Sequence, residues 1–241
     1  MKDGTFTADR LLALYDRVAE AEDAIPRLRR FVLDLAVRGK LVEQDPTDEP
    51  AAELLKRIKT ERARKVASGE SRKKKDIDDT VPAPFAIPDN WIWCRIGEVA
   101  DLVRGISFPA SEKFDVATED RIACFRSGNI QTETVWSDFI YVPRRIIKEN
   151  SQLVRKGDIL ISIANSYALV GKCSIVNEVV HDATFGAFLA AIRFDEILPD
   201  FVSSFLASDF SLAAFRVGSS QTTNIANITF STIRDHPAFP K

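Results

Sequence analysis

The sequence predicts an α+β protein, an N-terminal helical, coiled-coil-like region followed by a mixed α+β domain. Three observations carry this. Apolar residues recur at helical spacing through the first part of the chain. A basic, proline-containing stretch near residue 80 then interrupts the pattern, and beyond it short β-rich runs separated by Gly, Asp, Asn and Pro take over. At 241 residues the chain is long enough for one large domain or a domain with an attachment, and 45% hydrophobic with 28% charged residues is the composition of a folded protein.

In chain order, Leu11, Leu14, Val18, Ala21, Ile25, Leu28, Val32 and Leu35 follow a strict heptad repeat, which keeps one narrow seam apolar. That seam wants a partner helix, supplied either from within the chain, by a helix over 47–66, or by another subunit. Pro26 lies inside the pattern and lacks an N–H, so either the helix kinks there or two helices abut, with Pro26 in the first turn of the second. Gly39 is a plausible stop. A second helix is expected to start near Thr47, with Asp48 and Glu49 at the positive end of its dipole, and to run through Leu54, Leu55 and Ile58 toward Gly69. Residues 69–88, with prolines at 82, 84 and 88, read as a linker. The expected organisation is therefore a helical region 1–68, a basic linker 69–88 and a β-rich domain 89–241. Within the last, strands are expected at 91–96, 99–103, 122–126, 135–141, 158–163, 170–176 and 187–194, and one amphipathic helix at 199–216 with Gly218 after it.

Net charge is −2 at a pI near 5.8, which argues against a general nucleic-acid coat protein. The average conceals a local feature. Residues 54–75 carry ten Lys/Arg against Glu61 and Glu70, a net of +8, which suits either a solvated helix end or contact with phosphates or an acidic partner. No apolar run approaches a membrane span, and the N-terminus has no signal-peptide stretch, so a cytoplasmic protein is expected. Cys94, Cys124 and Cys173 form neither a disulfide framework nor a zinc pattern and read as buried thiols.

Enzymatic groups are scarce. His181 and His236 have no ligand spacing around them. The sequence holds no dinucleotide-binding glycine fingerprint, phosphate loop, Gly-x-Ser-x-Gly elbow or Asp/Asn-Pro-Pro-Tyr/Phe tetrapeptide. Asp158 and Asp182 as a metal pair is weaker than Gly157-Asp158 as a turn. Cys173, although it follows Lys172, sits in an apolar run and reads as inert. What the chain does offer is amide- and hydroxyl-rich loops beside basic residues. They carry Arg104 and Ser107, then Arg126, Asn129 and Gln131, then Asn165, Ser166, Tyr167 and Lys172, and finally Gln221, Thr222, Thr223 and Asn224. Asn and Gln can pair adenine bidentately, Arg can pair guanine, and Ser, Thr and Lys can hold phosphate. Phe108 and Tyr167 are candidates for stacking, whereas Trp91, Trp93 and Trp136 are expected in the core.

Taken in order, several blocks resemble one family. These are Leu28–Ala51 (LRRFVLDLAVRGKLVEQDPTDEPA) with Glu53–Ile58 (ELLKRI), Pro88–Trp93 (PDNWIW) with Gly97–Val99, Gly157–Ser166 (GDILISIANS) with Leu169–Lys172 (LVGK), Ala183–Ala187 (ATFGA) and Ser220–Asn227 (SQTTNIAN). Together they are similar to the DNA specificity (S) subunits of type I restriction-modification systems, over roughly residues 25–240. The resemblance implies a conserved helical region and a first target-recognition domain with a strongly bent, mostly antiparallel sheet, reading one half of a bipartite double-stranded DNA target. It implies docking of methyltransferase (M) subunits through the helices, association with restriction (R) subunits in the assembled complex, and self-association through the helical region. It also implies a non-catalytic chain without its own cofactor, S-adenosylmethionine, ATP and Mg belonging to partner subunits. Such subunits commonly carry two recognition domains, whereas this sequence stops at Lys241, so an N-terminal fragment or a natural half-subunit is expected. A half-subunit would pair with a second copy and specify a symmetric target. The competing readings are a coiled-coil scaffold without sequence-specific DNA reading, and the recognition part of a stand-alone restriction or methylation enzyme.

Overall fold

The structure is a computed structural model that describes residues 23–68, 81, 83–194, 197, 199–222 and 225–239, with no side-chain description for Gln221 and Thr222. Helix α1 spans Ala24–Val37. Pro26 falls in its first turn, where the missing N–H costs no intrahelical bond. The helix ends as the glycine suggests. Gly39 adopts φ +66°, its N–H reaches the Ala36 carbonyl at 3.0 Å, and the Lys40 N–H reaches Leu35 at 2.8 Å, the paired bonds of a Schellman stop. A Cβ on Gly39 would also collide with the Pro88 ring, so the same residue lets the chain after the linker pack close beneath the helix. The heptad positions Leu11, Leu14, Val18 and Ala21 lie outside the described residues. Of the others, Leu35 is half-buried, but Ile25, Leu28 and Val32 are 66, 53 and 40% exposed. It is instead Leu33 and Val37, one turn apart, that turn toward the core.

Helix α2 (Ala51–Ala67) starts four residues later than expected. Pro50 disfavours a helical conformation at Glu49, and Asp45 to Asp48 form a separate turn in which the Asp45 carboxylate accepts from both the Thr47 N–H (2.8 Å) and its hydroxyl (2.6 Å). Those bonds hold the Asp45 carboxyl below its usual pKa. Ala51, Leu54, Leu55 and Ile58 form the buried face of α2, and the Ala51 N–H is satisfied by the Asn90 carbonyl at 2.9 Å. Much of the described basic cluster is turned inward electrostatically. Lys59 pairs with Glu98 at 2.8 Å, Arg62 with Asp101 at 2.6 Å, Arg57 with Glu49 at 2.6 Å and Arg64 with Glu61 at 2.8 Å. The first two clamp α2 to the β-rich part. Lys73, Lys74 and Lys75 lie outside the described residues.

The strands are β1 (Cys94–Arg95), β2 (Ala100–Arg104), β3 (Arg121–Phe125), β4 (Ile140–Pro143), β5 (Ile159–Ser162), β6 (Ala164–Asn165), β7 (Cys173–Ile175), β8 (Ala183–Phe185), β9 (Leu189–Phe194), β10 (Ser220–Thr222), β11 (Ile225–Asn227) and β12 (Pro237–Ala238). A one-turn helix α3 (Ile96–Val99) lies between β1 and β2. The strands form four small sheets, ordered β2-β9-β5-β7, β4-β3-β8, β10-β11-β6 and β1-β12. Named pairs are antiparallel except β3 with β8. Two expectations need correction. Residues 135–139 are not strand, because the Val135 and Ser137 carbonyls are taken by the Asn129 amide rather than by a ladder. The single helix expected over 199–216 is two, α4 (Pro199–Leu206) and α5 (Asp209–Val217). Between them Ser208 is extended, and its hydroxyl donates to the Phe205 carbonyl (2.6 Å) and accepts from the Ser211 N–H (3.4 Å), capping a new helix. Helix α6 (Phe230–Arg234) follows β11.

Side-chain alternation on the four-stranded sheet sorts the core. Ile159, Ile161, Ala190 and Ile192 face the cluster that contains Val37, Leu54, Ile58, Trp91 and the α4–α6 helices. Leu160, Leu189 and Ala191 face the opposite cluster, with Phe125, Val154 and Phe185. A sheet buried on both faces accounts for its near-continuous apolar runs. Residues 85–88 are part of this packing. Phe85 meets Trp93 edge-on at 5.0 Å, and Phe85 and Ile87 rest on the first cluster. Trp91 is buried, Trp93 and Trp136 are half-buried within aromatic clusters, and all three cysteines are buried free thiols. Burial raises the Cys94 thiol and pushes those of Cys124 and Cys173 up to about 12. Among the described residues no helix is long and apolar enough to cross a membrane, and no cluster of His, Cys, Asp and Glu could hold a metal ion.

Candidate nucleic-acid interface

The polar loops converge because Gly105 lets three chain segments touch. Gly105 lies against Gly186, and any Cβ on Gly105 would overlap the Gly186 carbonyl. Ile106 donates to Phe185 at 2.8 Å and Gly186 to Phe125 at 3.0 Å, which sets loops 105–108, 126–128 and 186–188 side by side. They enclose a cleft of about 640 Å³ whose rim includes Ser107, Lys113, Arg126, Ser127 and Phe188. The Phe188 carbonyl accepts from the Ile163 and Ala164 N–H groups at 2.9 and 3.3 Å and so joins the next loop. There β6, carrying Asn165, pairs with β11 of the hairpin β10–β11.

The predicted residues take different parts in this rim. Arg126 is exposed and aimed by a 2.8 Å bond to the Asp138 carbonyl, where Asp138 turns the backbone through φ +54°. Asn165 accepts from the Ser166 N–H at 2.8 Å through Oδ1 and donates to Ser162 at 3.3 Å, and Ser162 in turn donates to Ser127 at 3.4 Å, so Asn165 and the 126–128 loop share one polar chain. Gln131 and Lys172 meet directly, Nζ to Oε1 at 2.6 Å, at the mouth of a second cleft of about 490 Å³ that also holds Arg216. Ser166 and Tyr167 are exposed on the loop after β6. The Arg104 guanidinium stacks 4.5 Å over the Phe230 ring. Gln221 and Thr222 lie on β10 opposite Ala226 and Ile225, while Thr223 and Asn224 lie outside the described residues.

One candidate does not belong to the rim. Asn129 is 3% exposed, its Oδ1 accepts from the Arg126 N–H at 2.8 Å, and its Nδ2 donates to Val135 and Ser137 at 3.2 and 2.7 Å. With carbonyl and amide both engaged, it shapes the loop and has no group left for a base edge. Phe108 is half-buried, packing on the small cluster around Ile122 and Val142 while also lining the cleft. Sequence reasoning missed Phe188, 62% exposed in the cleft, because it sits in an apolar run that reads as strand. The carboxylates considered for a metal are engaged elsewhere. Asp158 is buried and forms a bidentate pair with Arg193, both bonds at 2.7 Å, and Asp182 pairs with Arg144 at 3.1 Å.

Comparison with known proteins agrees with the blocks noted in the sequence. The chain is 34% identical over 177 residues to the type I restriction enzyme EcoAI specificity subunit of Escherichia coli, covering 69% of this chain and 29% of the relative. It is 35% identical over 175 residues to the EcoEI specificity subunit, also of Escherichia coli, covering 70% and 29%. The chain belongs to the family of type I restriction specificity subunits. It spans less than a third of the length of the specificity subunits it matches. A solved HsdS subunit from Thermoanaerobacter tengcongensis superposes on all of this chain and 52% of its own, with 19% identity and a TM-score of 0.46. No protein-family model matches. At the first cleft, polar, cationic and aromatic groups from loops 105–108, 126–128 and 186–188 meet beside Lys113.

Proposed function

We propose that this chain is the DNA-reading part of a type I restriction-modification complex, contacting one half of a bipartite double-stranded target through the rim that runs from Ser107 to the β10–β11 hairpin. The observation that carries this reading is the gathering of Ser107, Lys113, Arg126 and Ser127 at one cleft, with Gln131, on the same loop as Arg126, bonded to Lys172 at the mouth of the second. Pre-aimed Arg, Lys and amide groups fit a duplex better than a solvated surface, since phosphate contacts set register and amides read base edges. The exposed stripe Ile25, Leu28 and Val32 is the surface offered to methyltransferase subunits or a second copy, with restriction subunits joining through the assembled complex. The chain itself is non-catalytic in this reading. S-adenosylmethionine, ATP and Mg serve partner subunits in the cytoplasm. The division into a helical region 1–68, a linker from 69 and a recognition domain to 241 is part of the same proposal, with residues 85–88 packed on the domain's core.

Duplex binding by fluorescence anisotropy tests it. Arg126→Ala and Lys172→Ala are each expected to weaken binding and to lower the slope of log affinity against log salt by about one. Asn165→Ala is expected to lower sequence preference and leave that slope unchanged. Wild-type affinity without sequence preference, unaffected by all three changes, would favour the scaffold reading.

A further inference from the structure

The cleft beside Phe188 combines features that a single kind of ligand satisfies together. Its floor is apolar, formed by the buried side chains of Ile106, Ile140 and Leu189, and its rim carries two cations, Lys113 and Arg126, and two hydroxyls, Ser107 and Ser127. Among the described residues no carboxylate lines it. Phe188 is the most exposed phenylalanine lining the cleft, where Phe108 is half-buried. Phe125 and Phe185 are fully buried, whereas Phe188 keeps 62% of its surface in solvent and belongs to none of the hydrophobic clusters. Its backbone is nonetheless held, its carbonyl accepting from Ile163 and Ala164, so the ring is presented from a fixed base. Leaving such a ring exposed forgoes the stabilisation of its burial, and a ligand that covers it recovers this.

We propose that Phe188 is a specificity-determining residue that contacts the 5-methyl group of a thymine in the major groove, with Arg126 and Lys113 on the neighbouring phosphates. The positive rim without carboxylates selects a polyanion, and a fixed apolar ring among polar groups selects the one apolar feature a base pair shows in that groove. Thymine alone of the four bases offers a methyl there. The inference rests on the DNA-reading function proposed above and adds the chemistry of one contact.

The test starts with selection of a random-sequence duplex library on the full 241-residue chain, assembled with the other subunits of its complex. Each thymine of the enriched sequence is then replaced in turn by deoxyuridine, which removes only the methyl. At one position the wild type is expected to lose about fourfold in affinity, the value of one buried methyl. Phe188→Ala, whose side chain lies outside the core and whose melting temperature should match the wild type, is expected to bind the thymine and uracil duplexes equally. Phe188→Tyr should restore the discrimination. If the wild type enriches a sequence but no uracil substitution weakens binding, or if Phe188→Ala still discriminates the methyl, the Phe188 contact is overturned while the DNA-reading function stands. Should the wild type enrich no sequence at all, the underlying function fails first.

Discussion

His236 is nearly fully buried among Phe205, Phe210 and Phe215, with ring centroids 4.6 to 5.8 Å away, and its Nε2 lies 3.0 Å from the Ser211 hydroxyl. Ser211 already donates to the Phe205 carbonyl at 2.9 Å, so its oxygen accepts from Nε2–H. Burial lowers its pKa to about 4. The unfolded chain, with an ordinary histidine near 6.5, binds the proton more readily. Stability from this residue is therefore complete above pH ~6.5 and is lost as pH falls through about 4, a decline on the order of 3 kcal/mol. Urea denaturation between pH 7 and pH 4 should show wild type losing stability more steeply than His236→Gln, and parallel curves would contradict the assignment. At this scale the sequence reveals residue type but not allegiance. Asn129 and Asn165 both have carbonyl and amide hydrogen-bonded, yet Asn129 is buried with its amide on two backbone carbonyls, whereas Asn165 is half-buried with its amide on one partner, Ser162. Asp158 reads as a turn residue, and the sequence carries no sign that Arg193, 35 positions away, will bind it bidentately.

Elements were legible where the chain's own chemistry ends them. Gly39 is the clearest case, because left-handed backbone and the nearby Pro88 ring both require the absence of a Cβ. Gly39→Ala is expected to cost about 2 kcal/mol or more, seen as a lower midpoint in thermal or chemical denaturation, with the β-rich core unchanged in near-ultraviolet circular dichroism. A midpoint within error of the wild type would contradict it. Strands of four to six residues with both faces buried, such as β5 and β9, also announce themselves. The two- and three-residue strands β6, β8, β10, β11 and β12 do not, since so few residues show no period. The break at Ser208 was hidden for a related reason. The apolar spacing runs on through Phe205, Phe210 and Phe215, and only the hydroxyl bonds of Ser208 reveal that a new helix begins.

For the molecule as a whole, the near-neutral charge has a structural explanation. The +8 stretch is partly balanced by Glu49, Glu98 and Asp101, which lie outside it in sequence and pair with Arg57, Lys59 and Arg62 in space. These pairs place the basic helix as a brace for the β-rich part, while a handful of loop cations stay at the rim. The order of blocks in the sequence pointed to the family, but the convergence of the loops depends on contacts such as Gly105 on Gly186, 81 residues apart, which spacing cannot reveal. In the proposed function this chain selects which sites its complex modifies. Base-resolution mapping of adenine methylation, in cells carrying the system with and without this gene, tests it most directly. Loss of one split motif on deletion, with the motif restored by the wild-type gene, is the predicted result. An unchanged methylation pattern would contradict the account.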